Sequence, residues 1–259
     1  MLRLFLAELK REWILLLRYA VEAISLVIGI TIIFYGLFLS ARYMAGPGPG
    51  LELGDRLDAI VVGYILWSLT LFILSSIAGG LQQEAQTGTL EQIFLSPFGA
   101  SRIFITRAVA NLTLQLVLNL SILLMIMALT GSHLSFPPVL VLPLLTVLLG
   151  AYGLALALGS LALLLKRVQQ LLGICQFFLF FMLTVPVESW AGSAGWLKML
   201  LPMIPGAALL RELMAQGQEL NWGEWVMALL NGVGYFALGL FLFRLAEREA
   251  KRRGRLGGY

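Results

Sequence analysis

The sequence predicts an all-α integral membrane protein with six transmembrane helices and both termini on the cytoplasmic side. Of its 259 residues, 59% are hydrophobic and 12% charged, against roughly 45–50% and 25% in a soluble globular protein. Apolar runs of membrane-crossing length recur along the chain, separated by short polar or Gly/Pro-containing breaks. With alternating crossings, fourteen of the eighteen Lys and Arg residues fall on one side, the distribution that marks the cytoplasmic face. The formal charge of +4, concentrated near the two ends, does not point to nucleic acid.

Residues 2–20 place Leu2, Phe5, Leu6, Leu9, Trp13, Leu16 and Leu17 on one helical face and Arg3, Lys10, Arg11 and Arg18 on the other. This is the pattern of a helix lying in the membrane interface with its cations toward anionic head groups. These charges precede the first long apolar run and no small-residue cleavage site follows it, so no cleavable signal peptide is expected.

The first span is 23–41, free of formal charge. Glu22 at its start is a boundary residue in reach of head groups, with substrate contact as the alternative role. Gly-Pro-Gly-Pro-Gly within Met44–Asp58 makes a loop, and 59–83 is the second span. The polar segment 82–97 follows, then Arg102 and Arg107, then the third span at 108–129.

Gly131–Pro138 is a tight reverse connection into the fourth span, 139–165, on which Ala151, Ala155 and Gly159 recur every four residues. Such a small-residue face permits close helix contact, although chance recurrence is as good an account in so glycine-rich a chain. Lys166-Arg167 separates it from the fifth span, 168–187. The stretch 190–211 is mostly apolar but broken by Gly192, Gly195, Lys198 and Pro202, which predicts a re-entrant or interfacial helical pair, tolerated at membrane depth only where protein or water satisfies its backbone. The sixth span is 225–243, and a basic tail occupies 244–259, with Glu247 to Lys251 and Glu249 to Arg253 at supportive i, i+4 spacing.

The chemistry available is restricted. His133 is the only histidine and lies in a turn, and Cys175 is the only cysteine and lies in an apolar run, so no histidine- or cysteine-rich metal site is expected. Paired intramembrane Asp residues or a Ser/His pair, which an intramembrane enzyme would need, are missing. No Gly-x-x-x-x-Gly-Lys-Ser/Thr phosphate loop occurs, so the chain is expected to be no enzyme and to bind no ATP of its own.

Within the polar segment, Thr89 after Gly88 is placed to cap a helix, with Gln92 completing a capping box. Leu90, Ile93 and Phe94 share one face, and Pro97 ends the helix. Any loop between spans is polar, and by pattern alone that reading stands beside a partner-binding one. The run Glu84-Ala-Gln-Thr-Gly88-Thr89-Leu90-Glu91-Gln-Ile-Phe94-Leu-Ser-Pro97 resembles, however, the signature of ABC-2 type permeases, the membrane subunits of ATP-driven exporters. Pro205 to Arg211 resembles, less firmly, the element before their last span, and residues 2–20 their interfacial elbow helix.

The resemblance implies a single transmembrane domain over 1–259 and a cytoplasmic coupling element, Glu84, Gly88, Thr89, Leu90, Glu91, Phe94 and Pro97, seated in a cleft of an ATPase subunit. It further implies two such ATPases carrying ATP and Mg, and a second permease copy in a homodimer or related heterodimer. The location implied is a bacterial or archaeal cell membrane, and the substrate a hydrophobic or amphiphilic drug, lipid or lipid-linked glycan. A passive or ion-coupled carrier and a non-transporting membrane assembly protein are the alternative functions. The carrier would want inverted repeats and ionisable groups near mid-span, neither of which is evident.

Overall fold

A computed structural model describes residues 2–44, 53–81, 100–132, 134–164, 169–184 and 199–252. Among them there is no strand. The helices are α1 (Leu2–Arg18), α2 (Ala20–Met44), α3 (Leu53–Leu74), α4 (Ala100–Thr130), α5 (Val141–Leu164), α6 (Gln169–Thr184), α7 (Ile204–Ala215) and α8 (Trp222–Arg252). A π-helical turn, Ser75–Gly79, extends α3, and a 3-10 turn, Pro138–Leu140, leads into α5.

Five helices are long and apolar enough to cross a membrane, with crossing segments Ala20–Ser40, Asp58–Gly79, Thr106–Thr130, Pro138–Leu163 and Trp222–Ala250. They coincide with the first, second, third, fourth and sixth expected spans. The fifth, α6, is apolar but described over 16 residues, about 24 Å of helix, which falls short of a roughly 30 Å hydrocarbon core. Its expected ends lie outside the described residues. Two helices continue past the charges expected to bound their spans: α4 starts at Ala100, ahead of Arg107, and α8 runs through Arg244 and Arg248 to Arg252. A charge ends the apolar run but leaves the backbone hydrogen-bond ladder intact.

Helix α3 is the hub. In its crossing segment 61% of residues are buried, against 22% in those of α2 and α8, and it packs against α4, α5, α6 and α7. Its Tyr64 is fully buried, donates its hydroxyl to the Ile30 carbonyl at 2.7 Å and packs on Phe34 and Trp67. The apolar residues left exposed, such as Ile24, Ile32 and Leu37 on α2 and Leu230, Leu238 and Phe241 on α8, form the outer surface that a bilayer would cover.

The most extensive helix contact joins α5 to α8. Gly232 lies on Thr146, Gly239 on Gly153 and Phe243 beside Gly159, so contacts advance together along both chains and the two helices run parallel. By the same test α3 is antiparallel to α4 (Ser68 with Asn119, Phe72 with Gln115) and to α6 (Gly63 with Leu183, Ser75 with Gln176). At Gly153 and Gly239 the backbones approach so closely that a Cβ on either would overlap the other helix's carbonyl groups. The four-residue stripe belongs to a different face: Ala151 and Ala155 are fully buried and Gly159 meets Leu81 and Ile77 at the end of α3.

Gly239→Leu therefore forces α5 and α8 apart and is expected to cost about 1–3 kcal/mol, as overpacking does, seen as a lower thermal midpoint in detergent. Gly234→Leu on the open side of α8, where no atom lies within 4 Å of a Cβ, is expected to leave the midpoint unchanged or slightly raised.

Candidate functional site

The seven sequence-predicted site residues of the polar segment, Glu84, Gly88, Thr89, Leu90, Glu91, Phe94 and Pro97, lie outside the described residues, as do His133 and all of 190–198. What is described is how the two ends of that segment are held. The near end is the π-helical turn Ser75–Gly79, a local widening of the helix that recurs at functional positions. It is seated by buried Ile77 and Ala78 and by Leu81, 1% exposed, against Gly159 of α5. At the far end α4 begins at Ala100, and α1 docks along its first turns.

That docking turns α1 differently from the expected amphipathic face. Phe5, Leu9, Trp13 and Leu16 are half-buried as their spacing requires, but Glu8 and Glu12 lie on the same inner side, while Leu6 and Leu17 are exposed. The reason is Arg107 of α4, whose Nε lies 3.7 Å from Glu8 Oε1; Arg11 Nη1 approaches the other Glu8 oxygen at 3.3 Å. Burial pushes the Glu12 carboxyl above its ordinary value of 4.5, with nearby Arg11 opposing and Glu8 reinforcing the shift. Glu22 sits in the first turn of α2, exposed, where a carboxylate complements the helix dipole, and it lines none of the three described cavities.

A stripe of amides that sequence reasoning passed over runs along α4, Asn111, Gln115 and Asn119 at i, i+4 and i+8, of which Gln115 and Asn119 bond to α3. Gln115, 4% exposed, donates through Nε2 to the Phe72 carbonyl at 3.3 Å and to Asn111 Oδ1 at 3.1 Å. Asn119, with its amide nitrogen toward Ser68, donates to Ser68 Oγ at 2.7 Å and to the Ile65 carbonyl at 3.3 Å, and its oxygen accepts from the Leu69 N–H at 2.9 Å. The helical spacing of the three amides was the available signal.

The described part of the expected re-entrant region, from Met199 onward, is a turn followed by α7. Met203 at the helix start has φ 65, a left-handed conformation that a non-glycine residue holds only under tertiary constraint. The constraint comes from α8: Asn231 donates to the carbonyls of Met199 (2.6 Å) and Leu201 (3.2 Å) and accepts from the Met203 N–H (3.3 Å), and Tyr235 donates to the Leu200 carbonyl (2.5 Å). Beyond the expected Pro205–Arg211 element the helix continues to Ala215, and its end is met by Ser135, whose hydroxyl donates to the Leu213 carbonyl at 2.5 Å and whose N–H donates to Met214 at 2.9 Å. Arg211, 3% exposed, donates to the Leu183 carbonyl at the end of α6, beside Gly63 of α3, where no Cβ fits.

Long apolar helices, with side chains that satisfy backbone groups at both ends of α7, define a multi-pass α-helical membrane protein. The family model described as ABC-2 family transporter protein matches residues 52–241, and the chain belongs to that family. Its members are membrane transport components, generally not catalytic themselves, that work with ABC ATPase partners. The matched region takes in both resembling elements, Glu84–Pro97 and Pro205–Arg211, and leaves out α1 and α2. No curated protein matches the chain.

Two outcomes follow from this geometry. Asn231→Leu strips three backbone groups of their partners and is expected to cost about 1–3 kcal/mol, read as faster hydrogen exchange across residues 199–215. The raised Glu12 carboxyl means that docked α1 favours the protonated acid: this contribution is present below pH 4.5 and is lost as pH rises through the raised value. Glu12→Gln is thus expected to raise the thermal midpoint at neutral pH and to match the parent protein in acid.

Proposed function

We propose that the chain is the permease subunit of an ATP-driven ABC exporter that moves a hydrophobic or amphiphilic substrate out of the cytoplasm or the inner leaflet. The observation that carries this reading is the Glu84–Pro97 signature, which lies inside the family-matched region and links α3 to α4. In this reading Glu84, Thr89, Leu90, Glu91 and Phe94 contact the ATPase, while Gly88 and Pro97 bound the coupling helix. Two ATPase subunits bind ATP and Mg, and the chain itself binds neither. A second permease copy, identical or related, completes the pathway, because six crossings enclose little space alone.

In this reading both termini lie in the cytoplasm of a bacterial or archaeal cell, and the Lys and Arg distribution supports that orientation. Parallel α3, α5 and α8 running opposite to α4 and α6 is the pattern that alternate crossings need, and it supports a sixth crossing at α6. The apolar walls of α2, α3 and α6 suit a drug, lipid or lipid-linked glycan better than an inorganic ion, whose hydration shell would need polar replacement.

Coexpression with candidate ATPases and purification in mild detergent tests this. One ATPase is expected to copurify and hydrolyse ATP, and Glu91→Arg to weaken that association about tenfold or more, as a reversed interfacial charge does, while membrane insertion is unchanged. Undiminished association of the variant would remove Glu91 from the coupling role. Failure of every candidate to associate would reduce the segment to a capped loop.

A further inference from the structure

Helix α4 packs along α1, α2 and α3 but makes no extended contact with α5 or α8. The cleft left between them is floored by the π-helical turn of α3 and holds a cavity of about 250 Å³. One lip of the cavity is Val109, exposed on the surface that a bilayer would cover, so the cavity opens sideways to lipid. Most of its wall is apolar, with Leu149 and Phe236 at the depth of Asn111, and Leu156 and Phe243 nearer Leu81 at the end of α3.

Most of its polar groups are committed. The Tyr152 hydroxyl donates across the cleft to the Ala108 carbonyl at 3.0 Å, and the Ser76 hydroxyl to the Ile73 carbonyl at 2.9 Å. Arg107 also borders the cavity, but Glu8 meets its Nε at 3.7 Å and the Glu12 carboxyl is close by. Its charge is answered by α1, and the wall offers an anion no surplus positive charge.

Asn111 differs. The Phe72 carbonyl can only accept, which fixes the Gln115 amide with its nitrogen toward Phe72 and Asn111. Asn111 then presents its oxygen to Gln115, which leaves its Nδ2–H group as a donor on the cavity wall. The residue lies about 7.5 Å past Thr106, where the crossing segment Thr106–Thr130 begins. That segment, about 37 Å long, overruns a hydrocarbon core of about 30 Å by roughly 4 Å at each end. The donor thus stands just inside the hydrocarbon boundary, the depth at which the ester carbonyls of acyl lipids meet their chains.

We infer that this cleft, within a single subunit, holds one acyl chain of a membrane lipid, whose ester carbonyl accepts from Asn111 Nδ2 while the chain runs inward past Leu149 and Phe236. An uncharged donor at the mouth of an apolar chamber selects the linkage and the chain, and the head group stays outside. The site does not rest on the exporter reading, since lipid reaches it whether or not an ATPase associates. Neither of the other described cavities has an open amide: Asn119, in the one lined by Leu66 and Met214, is committed to Ser68, Ile65 and Leu69, and the one beside Cys175 has no amide side chain.

Photolabelling of the purified full chain in lipid nanodiscs tests the assignment with three glycerolipid probes that carry the same mid-chain diazirine. One is a diacyl ester with a phosphate head, one a diacyl ester with an uncharged glycosyl head, and one the dialkyl ether of the glycosyl lipid. The two ester probes are expected to label the surroundings of Leu149 and Phe236 equally, and the ether probe about fivefold less, the weight of one neutral hydrogen bond. Asn111→Leu is expected to abolish the advantage of the esters. Leu240→Trp, which fills the chamber from α8, is expected to remove labelling there by all three, with the thermal midpoint showing that each variant is folded. Equal labelling by ester and ether probes in the parent protein overturns the carbonyl contact without recourse to any variant, and a preference for the phosphate head overturns recognition by an uncharged donor. Adducts confined to the exposed faces of α2 and α8, or labelling unchanged in Leu240→Trp, overturn the site.

Discussion

In hydrocarbon there is no water to take over a backbone hydrogen bond, so each interruption of a helix must be closed by another part of the protein. This chain meets that constraint with a few polar side chains placed where the ladder breaks. Asn231 and Tyr235 hold the turn before α7, Ser135 closes the end of α7, and Arg211 meets the last described turn of α6. These ties run from α8 to the 199–203 turn, from the α4–α5 connection to α7, and from α7 to α6. The short helix α7 is thus pinned at both ends and along its length, and through it the later helices share one frame with α3.

Around that frame the packing is uneven. Helix α3 gives up most of its surface to its neighbours, whereas α2 and α8 present broad apolar faces outward. Between α5 and α8 the fit depends on glycines: the backbones meet at Gly153 and Gly239, where dispersion between main chains replaces the bulky side chains that hold α3 in place. The polar segment 82–97 leaves from the π-helical turn of α3, the most buried helix, and its chain returns at α4, against which α1 is docked by the Glu8–Arg107 contact. Movement of the segment would therefore reach both the centre of the bundle and α1.

Much of this was legible in the order of residues. Apolar run lengths located five of the crossing helices to within a few residues at most of their ends, and Gly131–Pro138 was read as a tight connection: Gly131, at φ 71, follows the last residue of α4, and Pro138 opens the turn into α5. Where the ends differ, at Ala100 and Arg252, the misreading equated loss of apolarity with loss of helix. The face of α1 was half-legible: Phe5, Leu9 and Trp13 follow from periodicity, but the inward turn of Glu8 and Glu12 depends on a cation ninety-nine residues further along from Glu8, at Arg107. The Asn111–Gln115–Asn119 stripe had visible spacing, yet spacing alone does not say whether amides face lipid, water or a neighbouring helix.

By itself the sequence determined the class of the protein, the number of apolar runs, their boundaries to a few residues and the family to which the chain belongs, because hydrocarbon solvation acts on each run locally and the signature is a contiguous string. Only the tertiary structure decided which faces meet. The parallel pairing of α5 with α8, the capture of the 199–203 backbone by Asn231, and the docking of α1 through the Glu8–Arg107 contact join residues far apart in the chain. In a bilayer nearly every face of a crossing helix is apolar, so hydrophobicity does not distinguish lipid-facing from protein-facing surface. Close packing and the satisfaction of polar groups make that choice, and both exist only once the helices are assembled.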